Sequence, residues 1–173
     1  YGDHRDLHLS IRRQRQMCIR DRDIGEFDDE NYLKITDRKK DILVNAGGDN
    51  ISPTRVEAKL DIEPEIAQSM LYGDFKNYLV AVIVPDKDFA INWAKENSKD
   101  QKFESIVKDE DFNKAMKEVV NKVNKNLSVI EQVRKFILID HEFTIENSMM
   151  TPSMKVRRFA VKDKYGDQLE NLY

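Results

Sequence analysis

"YLVAVIVPD", residues 78–86, contains the longest argument in the chain about its fold. Leu79 to Val84 are apolar without interruption, with none of the period-2 alternation of a half-exposed strand, so the run belongs in the centre of a sheet. Pro85-Asp86 ends it. Just upstream, "EIAQSMLYGD" (65–74) reads as a neighbouring strand. Downstream, "DFAINWAKENS" (88–98) sets Phe89 and Trp93 at helical spacing, and "FNKAMKEVVNKVNKNL" (112–127) carries an apolar stripe of Phe112, Met116, Val119, Val120, Val123 and Leu127. These aromatics and methionines read as core. "VRKFILIDHEFT" (133–144) supplies another strand, and the tail after Lys155 is short and polar with room for a final helix.

Working back toward the start, "SPTRVEAKLD" (52–61) reads as a helix with Ser52 as N-cap, Pro53 at the first helical position, and Val56 and Leu60 on one face. Its capping box is incomplete, because Arg55 stands where Glu or Gln is wanted. "KDILVNAGGDN" (40–50) is a short apolar strand ending in Gly47-Gly48, where positive φ is cheap. "DIGEFDDENYLKITDR" (23–38) folds into a hairpin-like unit around an Asp-Asp-Glu-Asn turn. The order β, β, α, β, β, α, α, β predicts an α+β layer, a small β-sheet flanked by helices.

The length of 173 residues bounds the chain to one ordinary domain with a real core. A charged fraction of 35% against 40% hydrophobic suits solvated helix faces, and no apolar run reaches the roughly 20 residues that span a bilayer. The single cysteine, Cys18, and three scattered histidines offer no metal-ligand spacing, so no metal site is expected, and a cytoplasmic setting is the default. A net charge of −3 argues against nonspecific nucleic-acid binding. The charge is uneven. Residues 1–22 hold six arginines and no lysine, whereas residues 23–173 hold five arginines, eighteen lysines and a net charge of −6. Such an arginine-rich leader reads as a basic arm, a solvated leader or an artefactual end, and it is set aside from the fold.

Four features carry potential chemistry, each beside a plainer reading. "ITDRKKDILVNAGG" (35–48) concentrates charge ahead of a strand and then permits close backbone approach, yet spacing alone favours a charged loop before a turn. Asp23 in "DIGEF" can accept ribose hydroxyls, or simply form a turn. In "TPSMKVRR" (151–158) a proline-ordered stretch presents Lys155 as a compact cation for charge developing on a phosphate or carboxylate; the plain alternative is a solvated lysine. Arg157-Arg158 reads as surface or backbone-capping.

From Asp23 onward, "DIGEFDDENYLKITDRKKDILVNAGGDNISPTRVE" (23–57) and the later "TPSMKVRR" resemble the C-terminal portion of the adenylate-forming superfamily, which includes acyl-CoA synthetases, nonribosomal-peptide adenylation domains and firefly luciferase. "ITDRKKD" with "TPSMKVRR", and the helical stretch from about Phe89 to Leu127, look most like its long-chain fatty acid CoA ligase branch. The resemblance implies the mobile C-terminal domain of that fold over residues 38–173, with 23–37 as the end of the large N-terminal domain. It implies that Asp23 holds the ribose of ATP, that Arg38 contacts the same nucleotide, and that Lys40 is the hinge. It further implies that Gly47, with Gly48 beside it, flanks the pantetheine tunnel, and that Lys155 serves adenylation.

The implied reaction has two steps. A fatty carboxylate attacks the α-phosphate of ATP, taken up with Mg2+, to give an acyl-adenylate and pyrophosphate, with Lys155 bridging the developing charge. The small domain then turns about Lys40 and CoA takes the acyl group. The family's Thr-Gly before the ribose aspartate is replaced by Asp21-Arg22, which places a junction at residues 22 and 23. Its phosphate loop and acyl pocket lie outside these 173 residues, so the chain alone is expected to be inactive. The expected partners are small molecules (fatty acid, ATP and CoA), without nucleic acid, and with peripheral membrane contact open to the parent protein. Two rivals stand beside this expectation: an adenylate-forming ligase for another carboxylic acid, and a non-catalytic module that binds protein or RNA.

Overall fold

The structure is a computed structural model and describes residues 23–27, 32–38 and 42–173. The chain forms two units, residues 1–42 and 43–173. In the first, β1 (Asp23–Phe27) pairs antiparallel with β2 (Leu33–Arg38), as the hairpin-like pattern predicts. The register runs from Asp23 opposite Arg38 to Phe27 opposite Leu33, with an irregularity between Ile24 and Gly25.

The second unit is built on a three-stranded sheet in the order β5-β6-β7: β5 (Ile66–Tyr72), β6 (Leu79–Pro85) and β7 (Val133–Leu138). β6 is central and every residue in it is buried. Its side chains alternate between two cores. Leu79, Ala81 and Ile83 join one, Val80, Val82 and Val84 the other. β5 and β6 are antiparallel, whereas β6 and β7 are parallel. A parallel neighbour requires a crossover, and residues 86–132 supply it.

That crossover covers the first face. α2 (Lys87–Glu96), α3 (Phe103–Val107) and α4 (Glu110–Asn124) place Ala90, Ala94, Ile106, Phe112, Met116, Val120 and Val123 against the sheet. They share it with α1 (Pro53–Leu60), through Val56 and Leu60. The helical stretch from Phe89 to Leu127 is therefore three helices. Asp86 caps α2 by accepting from Phe89 N, and Asp109 caps α4 by accepting from Asp111 N and Phe112 N, which starts a new helix with only two residues between it and the end of α3.

The second face is covered by α5 (Arg158–Glu170), which buries Val161, Tyr165 and Leu169 one turn apart. Each such side chain contributes about 1.5–3 kcal/mol of burial free energy. The tail is thus no polar appendage but a layer of the fold. The expected strand over 133–144 stops at Leu138. Beyond it the Gln68 side chain on β5 holds the returning chain: its Oε1 accepts from Phe143 N at 2.6 Å and its Nε2 donates to Phe143 O at 3.2 Å. Ile139, Phe143, Met149 and Met150 then complete the second core.

Candidate functional site

The Gly47-Gly48 pair lies in the turn between two short antiparallel strands, β3 (Leu43–Val44) and β4 (Asn50–Ile51). Gly48 takes φ +85, a left-handed conformation open to glycine at little cost, while only Gly48 of the pair does so. At Gly47 the constraint is space, since an added Cβ would sit 3.2 Å from Asn45 Oδ1. Asn45 organises the turn: Gly48 N donates to its carbonyl at 3.0 Å, and Asp49 N donates to its Oδ1 at 2.8 Å. The turn is fixed to the β5–β6 connection by Ala46 N to Lys76 O at 2.9 Å, Phe75 N to Val44 O at 2.6 Å and Val44 N to Asp74 Oδ1 at 3.0 Å.

Lys155 closes a second tight turn, standing opposite Thr151 across its base. Met150 and Val156 form an antiparallel bridge. Between them Thr151 N donates to Lys155 O at 2.8 Å, Lys155 N donates to Thr151 Oγ1 at 3.0 Å, and Met154 N donates to Thr151 O at 2.9 Å. Met154 takes φ +59 to complete it. Five residues are thereby held in one shape with the Lys155 side chain exposed. Among the described residues no ion pair reaches its ammonium group. An exposed cation on a fixed backbone, with no counter-ion among the described residues, is suited to meeting negative charge on a ligand.

Two features that the sequence reading missed anchor this turn. Arg158, expected at the surface or as a cap, instead forms a fork with Glu57 of α1: its two terminal nitrogens reach Oε1 and Oε2 at 2.6 and 2.5 Å. The same Oε1 accepts from Leu71 N of β5 at 2.7 Å, so one buried carboxylate ties α1, the sheet and the start of α5 together. No local pattern points to this pair, which is 101 residues apart. The second feature is at the other end of the segment. His141 Nδ1 lies 2.7 Å from Asp140 Oδ1, and its Nε2 lies 2.8 Å from Lys164 Nζ and in contact with the Tyr165 hydroxyl on α5. An ammonium only donates, so Nε2 is the acceptor and Nδ1 carries the proton donated to Asp140. That bond to His141 holds the Asp140 carboxyl below the ordinary carboxylate range, while burial raises the Tyr165 phenol to about 12.

The candidate residues divide as follows. Asp23 and Arg38 are opposed across the β1–β2 ladder, which brings them together in the first unit. Lys40 lies outside the described residues, as do residues 1–22. Gly47 and Gly48 occupy one turn of the second unit and Lys155 another; no hydrogen bond or ion pair joins the two turns among the described residues. No group of three or more His, Cys, Asp or Glu among the described residues is placed to hold a metal ion.

Residues 40–173 match the family model of the AMP-binding enzyme C-terminal domain. The chain belongs to that family. Within it, the chain is 34% identical over 153 residues to the long-chain-fatty-acid–CoA ligase FadD15 of Mycobacterium tuberculosis, covering 87% of this chain and 26% of the relative. Its fold is similar to the adenylation domain of the carboxylate reductase from Mycobacterium chelonae, with a TM-score of 0.74 and 27% identity over 87% of this chain and 22% of that one. The adenylation domain of the carboxylic acid reductase from Segniliparus rugosus, solved with AMP and a co-purified carboxylic acid, aligns with a TM-score of 0.70 and 28% identity, again over 87% of this chain and 22% of that one. This AMP-binding C-terminal domain thus spans about a quarter of the length of the relatives it matches. Its α+β architecture is the one expected of the adenylate-forming fold.

Proposed function

We propose that the chain is the C-terminal part of a long-chain fatty acid CoA ligase, and that Lys155 is its adenylation residue. The observation that carries this reading is the Lys155 turn: an exposed lysine whose backbone closes a hydrogen-bonded loop, without an ion-pair partner among the described residues, in a domain of the AMP-binding family. The similarity to FadD15 supports the substrate class.

In the first step the fatty carboxylate attacks the α-phosphate of ATP, forming the acyl–phosphate bond and releasing pyrophosphate. Lys155 lies across the carboxylate and phosphate oxygens and offsets the charge that accumulates between them, acting by electrostatics and position and moving no proton. Asp23 accepts the ribose hydroxyls and Arg38 contacts the same nucleotide, a pairing that their opposed register supports. Residues 23–37 then close the large domain and residues 38–173 form the small one, which turns about Lys40. Its rotation withdraws Lys155 and brings the Gly47-Gly48 turn to the pantetheine arm, where a residue without a side chain leaves room. The CoA thiol attacks the acyl carbonyl and AMP leaves.

ATP is taken up with Mg2+, for which the described residues offer no cluster of three or more His, Cys, Asp or Glu. The setting is cytoplasmic, with peripheral contact as the form of membrane encounter; no helix of the described residues is long and apolar enough to cross a membrane. A second reading, activation of a carboxylic acid other than a long-chain one, draws support from the likeness to carboxylate reductase adenylation domains. Pyrophosphate release by the full-length parent protein tests both. Lys155→Ala should slow it at least about a hundredfold with palmitate as substrate. An unchanged rate would overturn the role of Lys155, and wild-type release with benzoate but not palmitate would favour the second reading.

A further inference from the structure

The sheet has one edge at β7, which pairs with β6 alone among the described residues. Alongside it runs an open groove of about 310 Å³, bounded by Lys114 and Lys117 of α4, by Arg134, Lys135 and Phe136 of β7 itself, and by Leu172 after α5. Phe136, on the face of the first core, and Leu172, on the face of the second, are its apolar lining, and the charged side chains along the groove are all cations. This is unexpected in a chain whose residues 23–173 carry a net −6. Lys114 has a partner in Asp111 at 3.0 Å, and Lys135 donates to the Leu172 carbonyl. Among the described residues neither Lys117 nor Arg134 has an ion pair.

The backbone of β7 adds a second recognition element. Ile139 N donates to Ile83 O at the end of the parallel ladder, and the register from Lys135 to Leu138 is regular. Bonding in a parallel ladder alternates residue by residue, so the N–H and C=O of Phe136 and Leu138 face away from β6 toward the open edge. An exposed edge of this kind is a template for a further strand.

We propose that the β7 groove is a docking site for an extended acidic peptide segment of a partner protein, which adds as a fourth strand beside β7. Its backbone pairs with Phe136 and Leu138, one row of its side chains rests beside Phe136 and the other row beside Leu172, and its carboxylates meet Lys117, Arg134 and Lys135. Strand addition supplies affinity through the main chain, and the cations select the sign of the peptide's charge. The proposal is independent of the ligase reading, since it uses none of the residues assigned to either half-reaction.

The test uses the 173-residue chain and a fluorescein-labelled decapeptide of alternating Glu and Val, followed by anisotropy. Binding should weaken at least about tenfold for the same peptide N-methylated on the residues facing β7, and by a similar factor when Lys117→Glu and Arg134→Glu are combined. Amide exchange of Phe136 and Leu138 should slow when the peptide is added, while Lys87→Ala, a change elsewhere on the surface, should leave affinity unchanged. Equal binding of the N-methylated peptide, with the protein unaltered, overturns strand addition. Displacement of the peptide by inorganic phosphate at equal concentration, or capture by phosphatidylserine vesicles with no peptide binding, overturns it in favour of a simple anion site or a lipid surface.

Discussion

Replacing Glu57 with alanine should destabilise the domain far more than loss of an ordinary surface ion pair. The Glu57 side chain is 11% exposed and Arg158 is 24% exposed, and the carboxylate accepts from both ends of the Arg158 fork and from Leu71 N. Removing one partner of a buried pair costs about 3–5 kcal/mol, because the other charge is left unpaired. Water can reach part of the Arg158 guanidinium, which moves the expectation to the low end, about 3 kcal/mol with the orphaned Leu71 N–H included. Glu57→Gln keeps one acceptor oxygen and should cost about 1–2 kcal/mol. For a domain of this size, about 3 kcal/mol corresponds to a fall in Tm of roughly 10 °C. The assay is urea and thermal unfolding of the 173-residue chain followed by circular dichroism, on Glu57→Ala, Arg158→Met and the double variant. The cycle should return a coupling of about 2 kcal/mol. A loss below about 1 kcal/mol for Glu57→Ala, the size of an exposed pair, would refute the claim that this carboxylate joins α1, the sheet and α5.

Two further outcomes follow from local geometry. Gly48 at φ +85 has open space around its Cβ position, so Gly48→Val should cost about 1–2 kcal/mol through backbone strain alone, and Gly48→Asn clearly less; equal unfolding midpoints for the two variants would contradict this. Asp140 has a carboxyl pKa depressed below 3.8, chiefly by its bond to His141. A depressed carboxyl contributes stability above its unfolded value and loses it as pH falls through the folded one. The destabilisation by Asp140→Asn should therefore be present at pH 7 and shrink below pH 3.8, as read from urea midpoints across that range.

What the sequence reveals of this fold follows from where the physical signal is local. β6 is readable because burial on both faces leaves no polar residue in the strand, and α1 because Ser52, Pro53, Val56 and Leu60 fall at fixed helical offsets. α5 is harder to read. Val161, Tyr165 and Leu169 are separated by charged residues, and Arg157 gives the helix no side-chain cap. The break between α3 and α4 depends on Asp109 acting as a cap within a sequence that continues the apolar stripe. The course of the chain after β7 depends on Gln68, 75 positions away from Phe143. The same holds for the candidate site. Lys155 stands out through its Thr-Pro turn, whereas Glu57 and Arg158 acquire their roles only when α1 and α5 meet.

The proposed function gives the two half-reactions to two turns of one small domain, and a crossed measurement on the full-length parent protein tests that division. Single-turnover acyl-adenylate formation and thioesterification of supplied acyl-adenylate are measured for Lys155→Ala and for Gly47→Leu. Lys155→Ala should lose at least about a hundredfold in the first step and keep the second, while Gly47→Leu keeps the first and loses at least about tenfold in the second. Retention of the unaffected step in each variant serves as its own evidence of folding. Equal losses in both steps for Lys155→Ala would contradict the account.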